Sequence, residues 1–433
     1  MMVRNPYSFG YIPVGSSLTG RSLEELAAEY VSALGGIGGR QRERDEISIP
    51  LPLIYLVATG GAEQKILRLR DERERSMPGE PVLLLAHPGN NSLPAALEVL
   101  ARLQQDGKRG RILYLKGPQD APGLQEVAEA AAGLRAFHEL RRVRIGLVGP
   151  PSDWLMASSP DPEVVRQVWG PQVIPIPIDE LVEAMAAIPE KAVEPLGGDL
   201  ISKTAGVRET GAVEIGDAVR VYLTLKRLVG EHQLQAVTVR CFDLVGDLKT
   251  TGCFALAQLN DEGIVAACEG DLVSATAMLW IRALLGQISW MANPARIDAE
   301  NNSTWLAHCT VPRDLVEGYR LRSHFESGLG VGIQGTFSPG PVTLVRIGGR
   351  NMERLWLAEG EILRAGSEEQ LCRTQAEVRL TRDGGVGELL TAPLGNHLVL
   401  TPGHHTDRLQ AWWELMVDPR HVPPQSGKQA RIS

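Results

Sequence analysis

Two periodicities alternate along the chain. Short apolar runs bounded by Gly, Pro or charged residues read as buried strands, and runs with apolar residues every third or fourth position read as amphipathic helices. The first part gives strands at 53–59 (LIYLVAT) and 81–86 (PVLLLA), a helix at 93–105 (LPAALEVLARLQQ), a strand at 111–115 and a helix at 124–140. The same order restarts with a strand at 143–148 (VRIGLV), a loop, and a helical pattern at 160–168. It continues with a strand at 173–178, helices at 179–188 and 215–230, and a strand at 236–241 (AVTVRC). A helix at 251–262, a strand at 264–267 and a helix at 272–284 complete this part. Strands alternating with helices predict parallel sheets covered on both faces.

Beyond 288 the helical periodicity fades. Short alternating runs at 304–308, 342–347, 354–362 and 373–381 are separated by the turn segments GTFSPGP and RDGGVG. That pattern predicts a mainly antiparallel β domain, closed by a helix at 407–416 and a loose tail. The predicted fold class is therefore α/β: an N-terminal α/β domain (1–142), a central α/β domain (143–288), and a C-terminal, barrel-like β domain (289–433).

The 433 residues suffice for two or three domains, each with its own core. With 43% hydrophobic and 22% charged residues and a net charge of −8, a nucleic-acid footprint is not expected. Basic clusters at 40–44, 68–75 and 135–144 are interleaved with acids and read as solvated helix faces. No segment offers about 20 uninterrupted apolar residues, so no membrane span is expected. The opening MMVRNPYSFGYIPVG lacks the apolar run of a signal peptide. The five cysteines are odd in number, widely spaced and without a CxxC pair, which fits reduced thiols in a cytoplasmic protein.

Candidate chemistry begins at AACEGDLVSATAMLW (266–280), where Glu269 and Asp271 stand between a strand and a helix. Carboxylates there suit the positive end of the helix dipole, and the capping reading fits Asp271 better than Glu269. The C-terminal end of a parallel strand is also where open α/β sheets place ligands, which favours Glu269 as a site residue. His308 in LAHCTVP follows a strand-like run and His397 in PLGNHLVL enters one, while His324 and Glu326 form an HFESG segment with glycines just downstream. Taken singly, a histidine on a strand is more often a satisfied core or surface residue than a ligand.

The order of DEGIVAACEGDLVSATAMLWIRALLG, WMANPARID, LAHCTVP, HFESG and PLGNHLVLTPGHHTDRL resembles the L-fucose isomerase and L-arabinose isomerase superfamily. These are metal-dependent, usually manganese, aldose–ketose isomerases, and the resemblance spans roughly 143–409. It implies that Glu269 is the metal-binding glutamate of the EGD-type corner and His397 the C-terminal metal histidine. His308 resembles a ligand of the arabinose-isomerase branch that is not a recognised ligand in the fucose branch. In AHPGNNSLPAALEVLARL, His87 and Asn90 resemble a substrate-binding loop that reaches into a neighbouring subunit's site, although a strand-to-helix turn explains them equally. His324 is a further substrate-binding candidate. The resemblance also implies a homo-oligomer, a hexamer or trimer, with sites at subunit interfaces.

One departure stands out. Where the family has a second carboxylate that binds metal and handles a proton, this chain has Ala292 and Asn293. Asn293 can offer a neutral oxygen to a metal but cannot accept a proton at neutral pH. Asp298 is the nearest substitute, followed by Glu326 and Asp271. The expected cofactor is Mn2+, with Fe2+, Co2+ or Zn2+ also suited to a set of one glutamate and two histidines. The function expected is ketol isomerisation of a small sugar or polyhydroxy carbonyl compound through an ene-diol, with Glu269, Asp298 and Glu326 as the candidate proton-handling groups. The alternatives are a diverged metal- or sugar-binding protein that does not isomerise, and a different metal-assisted reaction at the same two-histidine, one-glutamate site.

Overall fold

A computed structural model describes residues 9–16, 20–382 and 385–417. The chain forms two compact units, Met1–Glu139 with Ala411–Ser433, and Leu140–Gln410. The expected loose tail from 418 and two residues of the RDGGVG turn lie outside the described residues, as do residues 1–8.

In the first unit the strands β1 (Phe9–Val14), β2 (Gly39–Gln41), β3 (Leu53–Val57), β4 (Val82–Ala86) and β5 (Gly110–Tyr114) form a parallel sheet of order β2-β1-β3-β4-β5. Helices α1 (Leu23–Gly36), α2 (Glu63–Ser76), α3 (Ser92–Gln105) and α4 (Ala121–Leu140) connect or follow them. Leu53, Tyr55 and Val57 alternate along β3 and pack with Leu84, Ala86, Ile66, Ala96, Val99 and Leu103 in one core. Four elements lie outside the sequence expectations: β1 (FGYIPV), interrupted by a proline and glycine, the amphipathic α1, the three-residue β2, and α2 (EQKILRLRDERERS), which buries only Ile66 and Arg73.

Arg73 corrects one expectation. It lies in the 68–75 basic cluster but is 3% exposed, not solvated. Its guanidinium donates to the carbonyls of Ile47, Ile49 and Leu51 and pairs with Glu80, which also meets His138 at 2.7 Å. The loop 47–51 (ISIPL) lies outside the sheet, and a buried arginine supplies donors to its carbonyls.

The second unit opens with β6 (Arg144–Val148), a single helical turn α5 (Pro162–Val164), β7 (Gln172–Ile176), α6 (Ile178–Ala186) and α7 (Glu190–Lys203). After the two-residue β8 (Val207–Arg208) come α8 (Ala212–Glu231), β9 (Ala236–Val239), α9 (Cys241–Leu248), α10 (Cys253–Asp261), β10 (Val265–Cys268) and α11 (Leu272–Leu285). The parallel sheet has the order β10-β9-β6-β7. Then β11 (Trp290–Asp298), β12 (Ser303–His308), β13 (Gly318–Arg322), β14 (Gly332–Thr336), β15 (Gly340–Gly348), β16 (Arg354–Ala365), β17 (Thr374–Arg382) and β18 (Leu398–Pro402) follow, with a short α12 (Glu388–Thr391). Six of them close an antiparallel barrel in the order β11-β12-β17-β16-β15-β18, while β14-β13-β8 form a small sheet. The final helix α13 (Thr406–Met416) contributes its residues from Ala411 on to the first unit, where Trp412 donates to the Gly133 carbonyl at 2.8 Å. The α/β fold class with a C-terminal antiparallel barrel is thus present, and among the described residues no helix is long and apolar enough to cross a membrane.

The turn from β10 into α11 is tightly specified. Glu269 (φ 66) and Gly270 (φ 74) are both left-handed, and the Gly270 N–H donates to the Val239 carbonyl. A Cβ on Gly270 would lie 2.7 Å from the Pro151 Cα. Gly270→Ala therefore combines an unfavourable backbone with a clash against backbone atoms. The expected result is a loss of about 1–3 kcal/mol or more, read as a lower denaturant midpoint in equilibrium unfolding.

Candidate metal centre

The second unit brings its central sheet and its barrel together around one cleft of about 350 Å³. Glu269 leaves the C-terminal end of β10. His308 ends β12, and His397 stands directly before β18. β11 pairs with both of those strands, with Asn293 opposite Ala307 and Ala292 opposite Leu398, so the two histidines flank Asn293. One ligand atom from each of Glu269, His308 and His397 lies within 4.8 Å of the others. Among the described residues this is the one set of three or more His, Cys, Asp and Glu side chains that converges so closely.

A network behind the trio orients it. Asp271 caps α11 by accepting from the Ser274 N–H at 2.8 Å, and its other oxygen meets His397 Nδ1 at 2.9 Å. Arg346 approaches the same carboxylate at 3.5 Å and is held by Ser158, Ser274 and the Leu394 carbonyl. With Nδ1 engaged, His397 turns Nε2 toward Glu269 Oε1, 3.6 Å away. That distance is too long for a hydrogen bond, and Nε2 is buried without a partner. A carboxylate on one ring nitrogen with the other left bare is the arrangement that metal-binding histidines use. His308 is fixed in the same manner, its Nδ1 lying 2.7 Å from Thr310 Oγ1. Glu269 accepts from the Trp154 indole N–H through Oε2 at 2.6 Å, which leaves Oε1 toward His397.

Charge follows from this geometry. Burial opposes ionisation of Glu269, but His397, His308 and the Trp154 indole hold its carboxyl below the usual range. Burial likewise opposes charge on Asp271, yet Arg346 and His397 hold it well below a normal aspartate. His397 is desolvated, but its two carboxylate neighbours raise it to about 9. His308, desolvated and facing His397, falls to about 4. Glu269 is thus a carboxylate and His308 a neutral ring near pH 7. His397 carries the proton that a metal would displace.

The other sequence candidates divide by position. Asn293, His324 and Glu326 line the same cleft. The amide nitrogen of Asn293 donates to the Asn396 carbonyl, so its oxygen is the acceptor that remains. His324 is positioned by Ser327 and by the edge of Phe242, and Glu326 is exposed on the same loop. Asp298 is not brought to the cleft. It closes the β11–β12 turn, accepting from the backbone of Glu300 and Asn301 and the Asn301 side chain. Five residues of strand separate it from Asn293, about 16 Å at ~3.3 Å per residue. His87 and Asn90 belong to the first unit, where His87 stacks on Tyr30 with ring centroids 4.4 Å apart and has a buried, unpartnered Nε2. Asn90 is left-handed (φ 55), and its carbonyl accepts from the Gly60 N–H.

Sequence reasoning missed Trp154, Phe242, Asn396 and Arg346; it gave Asp271 a capping role and a place among the substitutes for the second carboxylate, but not its bond to His397. Trp154 sits in PPSDWLM, the loop after β6, where an aromatic residue past the end of a parallel strand was the available signal. Arg346 and Asn396 carried none, because only barrel closure brings them near.

No family model matches the chain. It is 24% identical over 310 residues to the sulfoquinovose isomerase of Priestia aryabhattai, covering 68% of each chain. Similarity to the sulfoquinovose isomerase of Alkalicoccus urumqiensis is 22% over 243 residues, covering 54% of each chain. A sulfoquinovose isomerase of Clostridium sp. (strain MSTE9) is 24% identical over 233 residues, covering 53% of this chain and 52% of that protein.

The two histidines make opposite pH demands on the metal-free protein. His397, raised from 6.5 to about 9, contributes stability that is complete below pH 6.5 and lost as pH rises through 9. His308, lowered to about 4, contributes stability that is complete above 6.5 and lost as pH falls toward 4. Thermal unfolding across pH 4–10 is expected to show a flatter alkaline limb for Asp271→Asn and a flatter acid limb for His308→Gln.

Proposed function

We propose that this protein is a metal-dependent aldose–ketose isomerase acting on a sugar or small polyhydroxy carbonyl compound. The observation that carries the reading is the convergence of Glu269, His308 and His397, the last anchored on Asp271 through Nδ1 with its Nε2 unpartnered. Relatives named sulfoquinovose isomerase support the sugar-isomerase part. Glu269, His308 and His397 fit a divalent cation, with Asn293 Oδ1 as a fourth, neutral donor, and Mn2+ is the metal we expect. Such a cation supplies electrostatic stabilisation of the charge that develops on the substrate oxygens during ketol transfer.

The chain's own groups do the remainder. Glu269 is ionised and held in orientation by Trp154, so it is available to accept a proton from a substrate carbon or hydroxyl. The position of the expected second carboxylate is occupied by Ala292 and Asn293, and Asp298 is engaged in its turn. Glu326, on the rim of the same cleft, is the carboxylate that takes the second proton-handling role. Trp154, 49% exposed, and Phe242 pack edge to face at 4.8 Å and present an aromatic wall against which the apolar face of a sugar ring can lie. The family resemblance extends the proposal to a homo-oligomer, hexamer or trimer, in which the 87–90 loop of the partner subunit completes each site. The unpartnered Nε2 of His87 supports that extension.

Asn293 favours one second reading. A neutral amide in place of a proton-accepting carboxylate suits a protein that binds a metal and a sugar without turnover. Thermal stabilisation by a sugar, with no product formed, would select it.

Isothermal titration with Mn2+ is expected to show one site per chain in the native protein and none in His397→Gln. With Mn2+ present, an aldose and ketose panel that includes sulfoquinovose should yield an isomerised product detectable by NMR. Glu269→Gln should lower its kcat about 10²-fold or more. Unchanged turnover in Glu269→Gln would sink the assignment.

A further inference from the structure

The five cysteines, scattered in sequence from 241 to 372, all line the cleft that holds Glu269 and His308. All are free thiols; Cys241, Cys253, Cys268 and Cys309 are buried and Cys372 is half-buried. Cys309 lies against Cys253 and Cys372. A second pair lies in the same wall: Cys241 Sγ and Cys268 Sγ are 2.8 Å from each other. Cys268 ends β10 and Cys241 begins α9 just past β9, and β9 and β10 are neighbouring parallel strands. A disulfide needs a sulfur separation of about 2.05 Å, so closure moves the two atoms together by under an ångström. A tetrahedral zinc with bonds of about 2.3 Å would instead force the sulfurs apart, to roughly 3.8 Å. The geometry therefore suits a bond between the sulfurs better than a metal bridging them. Hydrogen peroxide is little larger than water and has access through a cleft of about 350 Å³.

We propose that Cys241 and Cys268 are a peroxide-oxidisable dithiol built into the wall of the site. One sulfur attacks a peroxide oxygen; the O–O bond breaks, a sulfenic acid forms and a first water leaves. The second sulfur attacks the sulfenic sulfur; the S–O bond breaks, the S–S bond forms and a second water leaves. Two electrons pass from the two sulfurs to the peroxide, and the two thiol protons end in the two waters. The bridge closes a loop between positions 27 residues apart and ties the end of β9 to the residue immediately before Glu269. It constrains the unfolded chain and so stabilises the oxidised protein. The proposal is independent of the isomerase reading.

The test treats the full-length protein with hydrogen peroxide, alkylates the remaining thiols and maps the peptides by mass spectrometry. Trypsin alone leaves Cys253 and Cys268 on one peptide, 250–282, so a second cleavage after Glu262 is needed to separate them. The expected product joins 241–249 to 263–269, with a mass lower by two hydrogens, three alkylated cysteines elsewhere, and reversal by dithiothreitol. Its melting temperature should lie above that of the reduced protein, and the rise should vanish in Cys241→Ser. Five alkylated thiols after treatment, a bridge through Cys253, Cys309 or Cys372, or sulfinic acid at Cys241 or Cys268 without a bridge would each overturn the proposal. So would a bridged protein that melts no higher than the reduced form.

Discussion

The carboxylate of Asp271 is the constraint on which the second unit's site depends. A fully buried carboxylate is tolerated only if each lone pair finds a partner, and here the partners come from three separate parts of the chain. The first turn of α11 takes one oxygen, Arg346 of β15 approaches the other, and His397 at the entry to β18 completes the set. The central sheet and the barrel are thereby locked to a common charge. Removing one member of such a set typically costs about 3–5 kcal/mol, because the remaining charges stay buried without compensation. The same bond that holds the fold together also turns the free nitrogen of His397 toward Glu269. Stability and chemistry share one residue.

The first unit solves a similar problem with different chemistry. Arg73, Glu80 and His138 form a buried charged cluster, but its main duty is to satisfy three loop carbonyls. Its histidine pairs with a carboxylate that is already committed to Arg73, so the cluster reads as structural. His138 Nδ1 and His397 Nε2 are both buried without a partner, so an unmet nitrogen alone does not separate the two clusters. What separates them is convergence: Glu269, His308 and His397 each offer a ligand atom within 4.8 Å of the others.

Much of the fold was legible because parallel strands buried on both faces and amphipathic helices have distinct periods. Runs such as LIYLVAT, PVLLLA and LPAALEVLARLQQ correspond to β3, β4 and α3, and the change of character after 288 corresponds to the start of the barrel. The elements that escaped notice, β1 and α2 among them, lack that contrast: one is broken by proline and glycine, and the other is almost wholly charged. Of the site, Glu269 was legible from its place at the end of a parallel strand. His308 and His397 stood out only through the order of motifs.

The sequence by itself determined the periodic elements, the EGD corner and its capping aspartate, since these depend on neighbours within a few positions. It also determined that no second carboxylate stands at 292–293. Tertiary structure alone decided what meets Glu269. Closure of the barrel brings Arg346 and His397 onto Asp271, sends Asp298 into a turn, and gathers five distant cysteines along one cleft. Contacts between residues a hundred positions apart are set by strand register and packing, and no local pattern encodes them.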